Sequence, residues 1–308
     1  MPRIPLGAVI ESALQWVMDH LGSLFEGFSV VLLFAVNAVY GLLAAPPAFL
    51  AVAIFGLIVA LATRSATMTG FTVLAFLLID GMQLWTETTQ TLAVVIVAAA
   101  ISIAFGVPLG ILAAGSTRTS AVLRPVLDFM QTLPVFVYLV PAVVFFGIGV
   151  VPGIMATTVF AIPPAVRLTE LGIRQVDGEM VEAAHAFGAG RGQVLREVQL
   201  PLAVPSIMAG VNQVIMLALS MVVVAGLVGA AGLGEVVVRG VTTLDIGVAF
   251  EGGIAVVILA IFLDRVTGVL GAQRKRSGGT RPRSLLRRAF GPRESSETLE
   301  ASAAPAAA

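Results

Sequence analysis

Asp177-Gly-Glu-Met-Val-Glu-Ala-Ala-His-Ala-Phe-Gly188, followed after nine residues by Val198-Gln-Leu-Pro201, is the stretch on which the reading of this chain turns. Asp177 has the short polar side chain of a helix N-cap, and Glu179 falls in the first turn, where the helix end is positive. Met180, Ala183, Ala184 and Phe187 then share one helical face. Gly188 and Gly190 are expected to end that helix. Val194, Leu195 and Val198 continue an apolar face, and Pro201 opens the next helix. The pattern predicts a short helix, a break and a second short helix. A small-residue apolar face on a polar segment must be covered, either by this chain's own helices or by another protein. Periodicity alone leaves both open.

On either side of this loop the chain loses its charges. No Asp, Glu, Lys or Arg occurs in 27–63, 88–117, 129–166 or 198–234. A membrane helix needs only ~20 apolar residues, so two of these spans have room for more than one crossing. Over all 308 residues, 58% are hydrophobic and 12% charged, and mean hydropathy is +1.00. A soluble domain carries about 25% charged residues, so a soluble protein is excluded. A transmembrane barrel would alternate over ~10-residue segments, which this chain does not. The class is all-α and polytopic. Net charge is zero, so no nucleic-acid partner is expected. The absence of cysteine excludes disulfides, thiolate metal sites and a cysteine nucleophile. His20 and His185 have no ligand-like spacing, so no metal is expected either. Pro2, Arg3 and Pro5 lead into an amphipathic stretch rather than a clean apolar signal segment.

Seven crossings are expected, at about 47–63, 67–80, 88–114, 132–149, 153–170, 203–228 and 246–267. A helix starting near residue 120 precedes the fourth. Residues 28–45 stand between an eighth crossing and a re-entrant or surface-lying helix, because Gly27, Asn37, Gly41 and Pro46-Pro47 interrupt them. Residues 8–26 read as an amphipathic helix lying on the membrane. The expected organisation is an amphipathic or re-entrant region (1–45), two accessory membrane helices (46–82), a core (83–270) with the cytoplasmic loop 171–202, and a tail (271–308). The tail is basic to Arg293, then acidic, then Ala-rich; it reads as disordered, with its basic cluster on anionic lipid. With the N-terminal flank outside and the C-terminus cytoplasmic, sixteen of the eighteen basic residues fall inside, leaving only Arg3 and Arg239 outside.

Glu182-Ala183-Ala184, three residues, Gly188, nine residues and Val198-Gln199-Leu200-Pro201 resemble the EAA loop of bacterial ABC importer permeases, E-A-A-x3-G-x9-I-x-L-P, with Val198 in place of Ile. The resemblance implies a type I importer (MetI-like) permease fold. It also implies a coupling helix that docks on a separate ATPase subunit, with Glu182, Ala183, Ala184 and Gly188 forming the contact and the turn. Further stretches, among them Gln131–Pro141, Pro163–Leu168, Met208–Gln213, Leu217–Val223 and Ile258–Arg265, are similar to the permease subunit of glycine betaine/L-proline importers of the ProU and OpuA type. The similarity covers about 45–270.

That family implies uptake of glycine betaine, proline betaine, carnitine or choline across a bacterial cytoplasmic (inner) membrane. Its implied partners are a second permease copy, with a homodimer expected, two ATP-binding subunits, and an extracellular or periplasmic substrate-binding protein. About forty residues follow the last crossing, too few for a fused binding domain. The only lysine is Lys275, and no G-x-x-x-x-G-K-[ST] precedes it. ATP and Mg are therefore expected on the partner. This chain is expected to carry no cofactor and no catalytic residue, and to be no enzyme.

The remaining motifs are read both ways. Asn212, Met216 and Ser220 share a helix face; with Gln213, Gln131 and Thr132 they are candidates to line the pathway. Interhelical hydrogen bonding is the competing use. Gly106 and Gly110 suit close helix packing. Gly226–Gly234 does not spell a dinucleotide-binding loop and reads as close packing or a gate. Asp264 and Arg265 are expected to pair or snorkel. Two other functions stay open: an ABC permease for methionine or another amino acid, and an ion-coupled secondary transporter, which would need intramembrane acidic pairs and inverted repeats.

Overall fold

Long apolar runs fold as helices because hydrocarbon offers the backbone no hydrogen-bond partner outside its own segment. The computed structural model describes residues 6–277, and its regular structure there is entirely helical. In order the helices are α1 (Leu6–Ala44), α2 (Ala48–Thr63), α3 (Ala66–Gly81), α4 (Trp85–Gly115), α5 (Thr117–Thr132), α6 (Val135–Phe146) and α7 (Val150–Arg174). There follow α8 (Gly178–Ala186), α9 (Arg191–Val194), a π-turn over Leu195–Gln199, α10 (Leu200–Ser220), α11 (Val222–Leu227), α12 (Leu233–Thr242) and α13 (Ile246–Ser277). The tail expected to be disordered from 271 is corrected at its start, since α13 continues the last apolar helix through Ser277; the remainder, 278–308, lies outside the described residues.

Five stretches are long and apolar enough to cross a membrane: Gly7–Ala44, Trp85–Gly115, Val150–Arg174, Arg191–Leu227 and Ile246–Gly268. The pair α5–α6 adds a sixth if it counts as one broken span, since it bends by 91°. The straight crossing expected at 132–149 is therefore corrected. Pro134 caps α6 with an extended backbone, and α6 itself has only 12 residues. The helices expected at 47–63 and 67–80 form at Ala48–Thr63 and Ala66–Gly81, within one residue at each end. Each is a 16-residue helix, about 24 Å long at 1.5 Å per residue, against a hydrocarbon core of about 30 Å. Arg64, at φ 53°, turns the chain between them.

The re-entrant reading of 28–45 is also corrected. Residues 6–44 form one helix that passes through Gly27 and Gly41 and ends before Pro46-Pro47. A lone glycine weakens a helix by only about 1 kcal/mol, which apolar packing offsets. Leu32 and Val36 bury against Val94, Ala98, Val151 and Ile154, and Phe25 stacks on Phe145 with ring centroids 4.8 Å apart.

The centre of the fold is α7, flanked by α4 and α10. Small residues bring the backbones together. A Cβ on Gly106 would lie 2.5 Å from that of Ala165, and one on Gly110 would lie 2.6 Å from that of Thr169. On the other side a Cβ on Gly172 would meet Ser206 at 2.6 Å, and Gly210 rests on Leu168. The α2–α3 hairpin joins α13 through aromatic packing of Phe55, Phe76 and Phe262. The Gly226–Gly234 run is close packing. The backbones of Gly226 and Gly234 touch, and Gly232 adopts φ +129° beside Thr91, whose Oγ1 accepts from the Leu233 amide at 2.8 Å.

Candidate functional site

Asp177 caps α8 as its residue type predicts, with Oδ1 accepting from the Glu179 amide at 2.9 Å. The helix ends in a Schellman turn. Gly188 takes φ +86°, its amide donates to His185 O at 2.9 Å, and the Ala189 amide donates to Ala184 O at 3.1 Å. No neighbouring atom crowds Gly188, so its glycine is required by backbone angle and not by space. Gly190, expected to end α8, instead starts α9, its carbonyl accepting from Gln193 and Val194. That follows from its ordinary φ of −72°.

No residue of α8 is buried. Met180 is 52% exposed and Phe187 93%; Glu182 and Ala183 are exposed, and Ala184 half-buried. Among the described residues, the chain's own helices leave most of this apolar face uncovered. What anchors the loop is Val194, 3% exposed. Val198 and Leu200 are half-buried and Pro201 is exposed. Pro201 lacks the amide that would bond residue 197. The widened turn just before it closes instead through the Leu200 amide and Leu195 O.

The pathway candidates separate. Asn212 bridges α10 to α13, with Nδ2 donating to Asp264 Oδ1 at 3.1 Å and Oδ1 accepting from Thr267 Oγ1 at 2.6 Å. Asp264 is thus tied to α10 and not paired with its neighbour Arg265, which is exposed. Gln213, Met216 and Ser220 are exposed on α10, as are Gln131 and Thr132 at the end of α5. No described hydrogen bond joins the α5 pair to α10. Among the described residues no group of three or more His, Asp or Glu is placed to hold a metal ion.

One constellation was missed from the sequence. Ser120, Arg124 and Asp128, spaced i, i+4, i+8 on α5, face Arg167, Glu170 and Arg174 on α7. Glu170 is 7% exposed. It accepts from Ser120 Oγ at 2.7 Å and pairs with Arg174 Nε at 2.9 Å, while Arg124 stands 3.7 Å away. Arg167 pairs with Asp128, and Arg174 Nη2 donates to Ala113 O at the end of α4 at 2.8 Å. Charges at i+3 and i+4 spacing in so uncharged a chain were the available signal. Their partners are 39 to 61 residues away, beyond the reach of local pattern.

With this geometry in view, the known proteins resembling the chain can be compared with it. Residues 106–276 match the family described as "Binding-protein-dependent transport system inner membrane component". The chain is 45% identical over 292 residues to the glycine betaine/proline betaine transport system permease protein ProW of Escherichia coli (strain K12), covering 93% of this chain and 82% of that one. It is 46% identical over 279 residues to the glycine betaine transport system permease protein OpuAB of Bacillus subtilis (strain 168), covering 90% and 98%. Among solved structures, an inward-facing form of the MetNI methionine ABC transporter has TM-score 0.56 at 23% identity, covering 62% of this chain and 95% of that one. At that identity the likeness speaks to fold alone.

Proposed function

The chain belongs to the binding-protein-dependent transport system inner membrane components, and on that premise we propose that it is the permease of an ABC importer for glycine betaine, proline betaine and related osmoprotectants. It is a transport subunit and not an enzyme. We take 83–270 as the permease core, 46–82 as accessory helices, 1–45 as an N-terminal region, the N-terminal flank as outside and the C-terminus as cytoplasmic. Two copies form the pathway, two ATPase subunits dock on the two α8 helices, and a separate binding protein delivers substrate outside.

The observation that carries this reading is the bare α8, none of whose residues is buried by the described residues. Glu182, Ala183 and Ala184 form the contact, and small side chains there let a partner approach closely. Gly188 sets the exit angle, and Val198, Leu200 and Pro201 join the loop to α10. α7 and α10 on either side of the loop are packed through Gly172 and Gly210, so a pull on α8 moves both together. That motion opens the pathway to one face at a time. Gln131, Thr132, Gln213, Met216 and Ser220 face it, and Asn212 stands at its α13 edge.

The betaine assignment is supported by relatives at 45–46% identity over nine-tenths of the chain. The methionine reading has only the fold likeness behind it. Family membership sets the ion-coupled transporter aside.

The test is uptake of labelled glycine betaine at high salt by cells lacking this gene and their other betaine importers, with and without the gene restored. Restored uptake, competed by proline betaine and not by methionine, is expected. No restoration overturns the substrate. Ala183→Trp, which adds bulk at an exposed position, is expected to leave the protein in the membrane and abolish co-purification of the ATPase. An intact complex overturns the docking assignment.

A further inference from the structure

We propose that Glu170 is a positioning residue for transport: its carboxylate clasps α5 to the end of α7, so that movement of the coupling loop is carried into the bent α5–α6 pair. The proposal rests on the coupling role of α8 argued above and adds the route by which motion leaves the loop.

Three facts point to it. First, α5 buries little of itself, and besides its neighbour α4 it packs on α7. Only Ser120 and Leu127 are buried along its length, and Ser120 is itself the donor to Glu170. Val122, Val126 and Phe129 are exposed. The contact between α5 and α7 is therefore mainly polar, and Glu170 is its one buried charge. Second, the position is right. Glu170 sits in the last turns of α7, with Arg174, its partner at 2.9 Å, three residues before the N-cap of α8. The same arginine holds the C-terminal carbonyl of Ala113, so α4, α5 and α7 meet at one carboxylate. Third, the clasp has room to shift. Arg124, Asp128, Arg167, Glu170, Leu171 and Arg174 line a cavity of about 300 Å³. A dry, fully packed pair would resist rearrangement; side chains beside an open cavity can swing while staying paired.

At its far end α5 meets Pro134 and the 91° bend into α6. Gln131 and Thr132 lie at that bend. Displacement of α7 at Glu170 is thus passed along α5 to side chains expected to face the pathway. Without the carboxylate, α7 and α8 would still move together, but α5 would lag.

The test uses the complete complex in liposomes, with ATPase inside, binding protein outside and labelled glycine betaine. Glu170→Gln is expected to keep binding-protein-stimulated ATP hydrolysis while betaine transported per ATP falls at least about fivefold, within the range of ordinary coupling energies. Ser120→Ala and Arg124→Ala leave the Glu170–Arg174 pair intact, so they keep the proposal testable if Glu170→Gln does not assemble; each is expected to lower the same ratio. The chain has no cysteine, so Ser120→Cys with Glu170→Cys can be joined by a short bis-methanethiosulfonate tether, each thiol displacing methanesulfinate to form a disulfide with the linker. The untethered pair is expected to be uncoupled and the tethered pair to regain transport.

Unchanged transport per ATP in all variants overturns the proposal. So does a parallel loss of ATPase and transport in equal amounts of assembled complex, or a failure of the tether to restore coupling. Absence of betaine transport by the unaltered complex would instead count against the proposed function, which keeps the two failures distinct.

Discussion

At the scale of single residues, Gly188 and Asn212 do different kinds of work. Gly188 holds a backbone angle. At φ +86° an L-residue is strained by roughly 1–2 kcal/mol, a β-branched residue is a marked outlier, and Asn is the best-tolerated substitute. Gly188→Val is therefore expected to cut betaine uptake by about tenfold, the factor that 1.4 kcal/mol represents. Gly188→Asn is expected to retain most of it. Immunoblots of membranes should show equal protein, and equal uptake by the two variants would refute the backbone argument. Asn212 holds two helices. Removing its amide by Asn212→Leu deprives the Asp264 carboxylate of a donor, a loss of about 1.5–3 kcal/mol for a hydrogen bond to a charged group. The variant is expected to unfold earlier on heating in detergent, whereas Gln213→Leu, altering an exposed side chain, is expected not to.

At the scale of elements, the close pair α4–α7 is the part most intolerant of change. A Cβ on Gly110 would lie 2.6 Å from that of Thr169 and 2.7 Å from the Val166 carbonyl oxygen, so any side chain there must push two helices apart. Overpacking costs typically about 1–3 kcal/mol, and Gly110→Leu should lie at the upper end because a backbone carbonyl cannot swing aside. Gly115→Ala, with open space around it, is the control. Size-exclusion profiles before and after mild heating would separate them, and two equally stable variants would contradict the packing. The G-x-x-x-G spacing was legible in the sequence; its partner helix was not, since Ala165 and Thr169 lie more than fifty residues away. The π-turn before Pro201 was equally hidden. A proline at a helix start is a common pattern, and only the continuity of 191–227 turned it into a widened turn inside one long helix.

At the scale of the whole molecule, the few charges report orientation. The proposed topology places Thr117, at the start of α5, in the cytoplasm and Thr243, at the end of α12, outside. Both are exposed. In this cysteine-free chain, Thr243→Cys is expected to react with a membrane-impermeant maleimide on intact spheroplasts, and Thr117→Cys only after permeabilisation. The reverse pattern would invert the topology. The two 16-residue helices do not alter this expectation, because a hairpin enters and leaves on the same side whether or not it reaches across.

By itself the sequence determined the class, the membrane, the apolar helices and the helical loop with its capping aspartate and turning glycine. These follow from composition and from contacts within one or two helical turns, where residue type and spacing act directly. It did not determine whether 28–45 breaks or where α5 bends. Each depends on what a helix packs against: Gly27 and Gly41 are passed over because Leu32 and Val36 find a neighbour. Only the tertiary structure decided that most of the apolar face of α8 is left uncovered by the described residues and that Asn212 is spent on α13. It alone drew Ser120, Glu170, Arg174 and Ala113 to one point. A burial or an ion pair is a relation between distant segments, and no local pattern carries it.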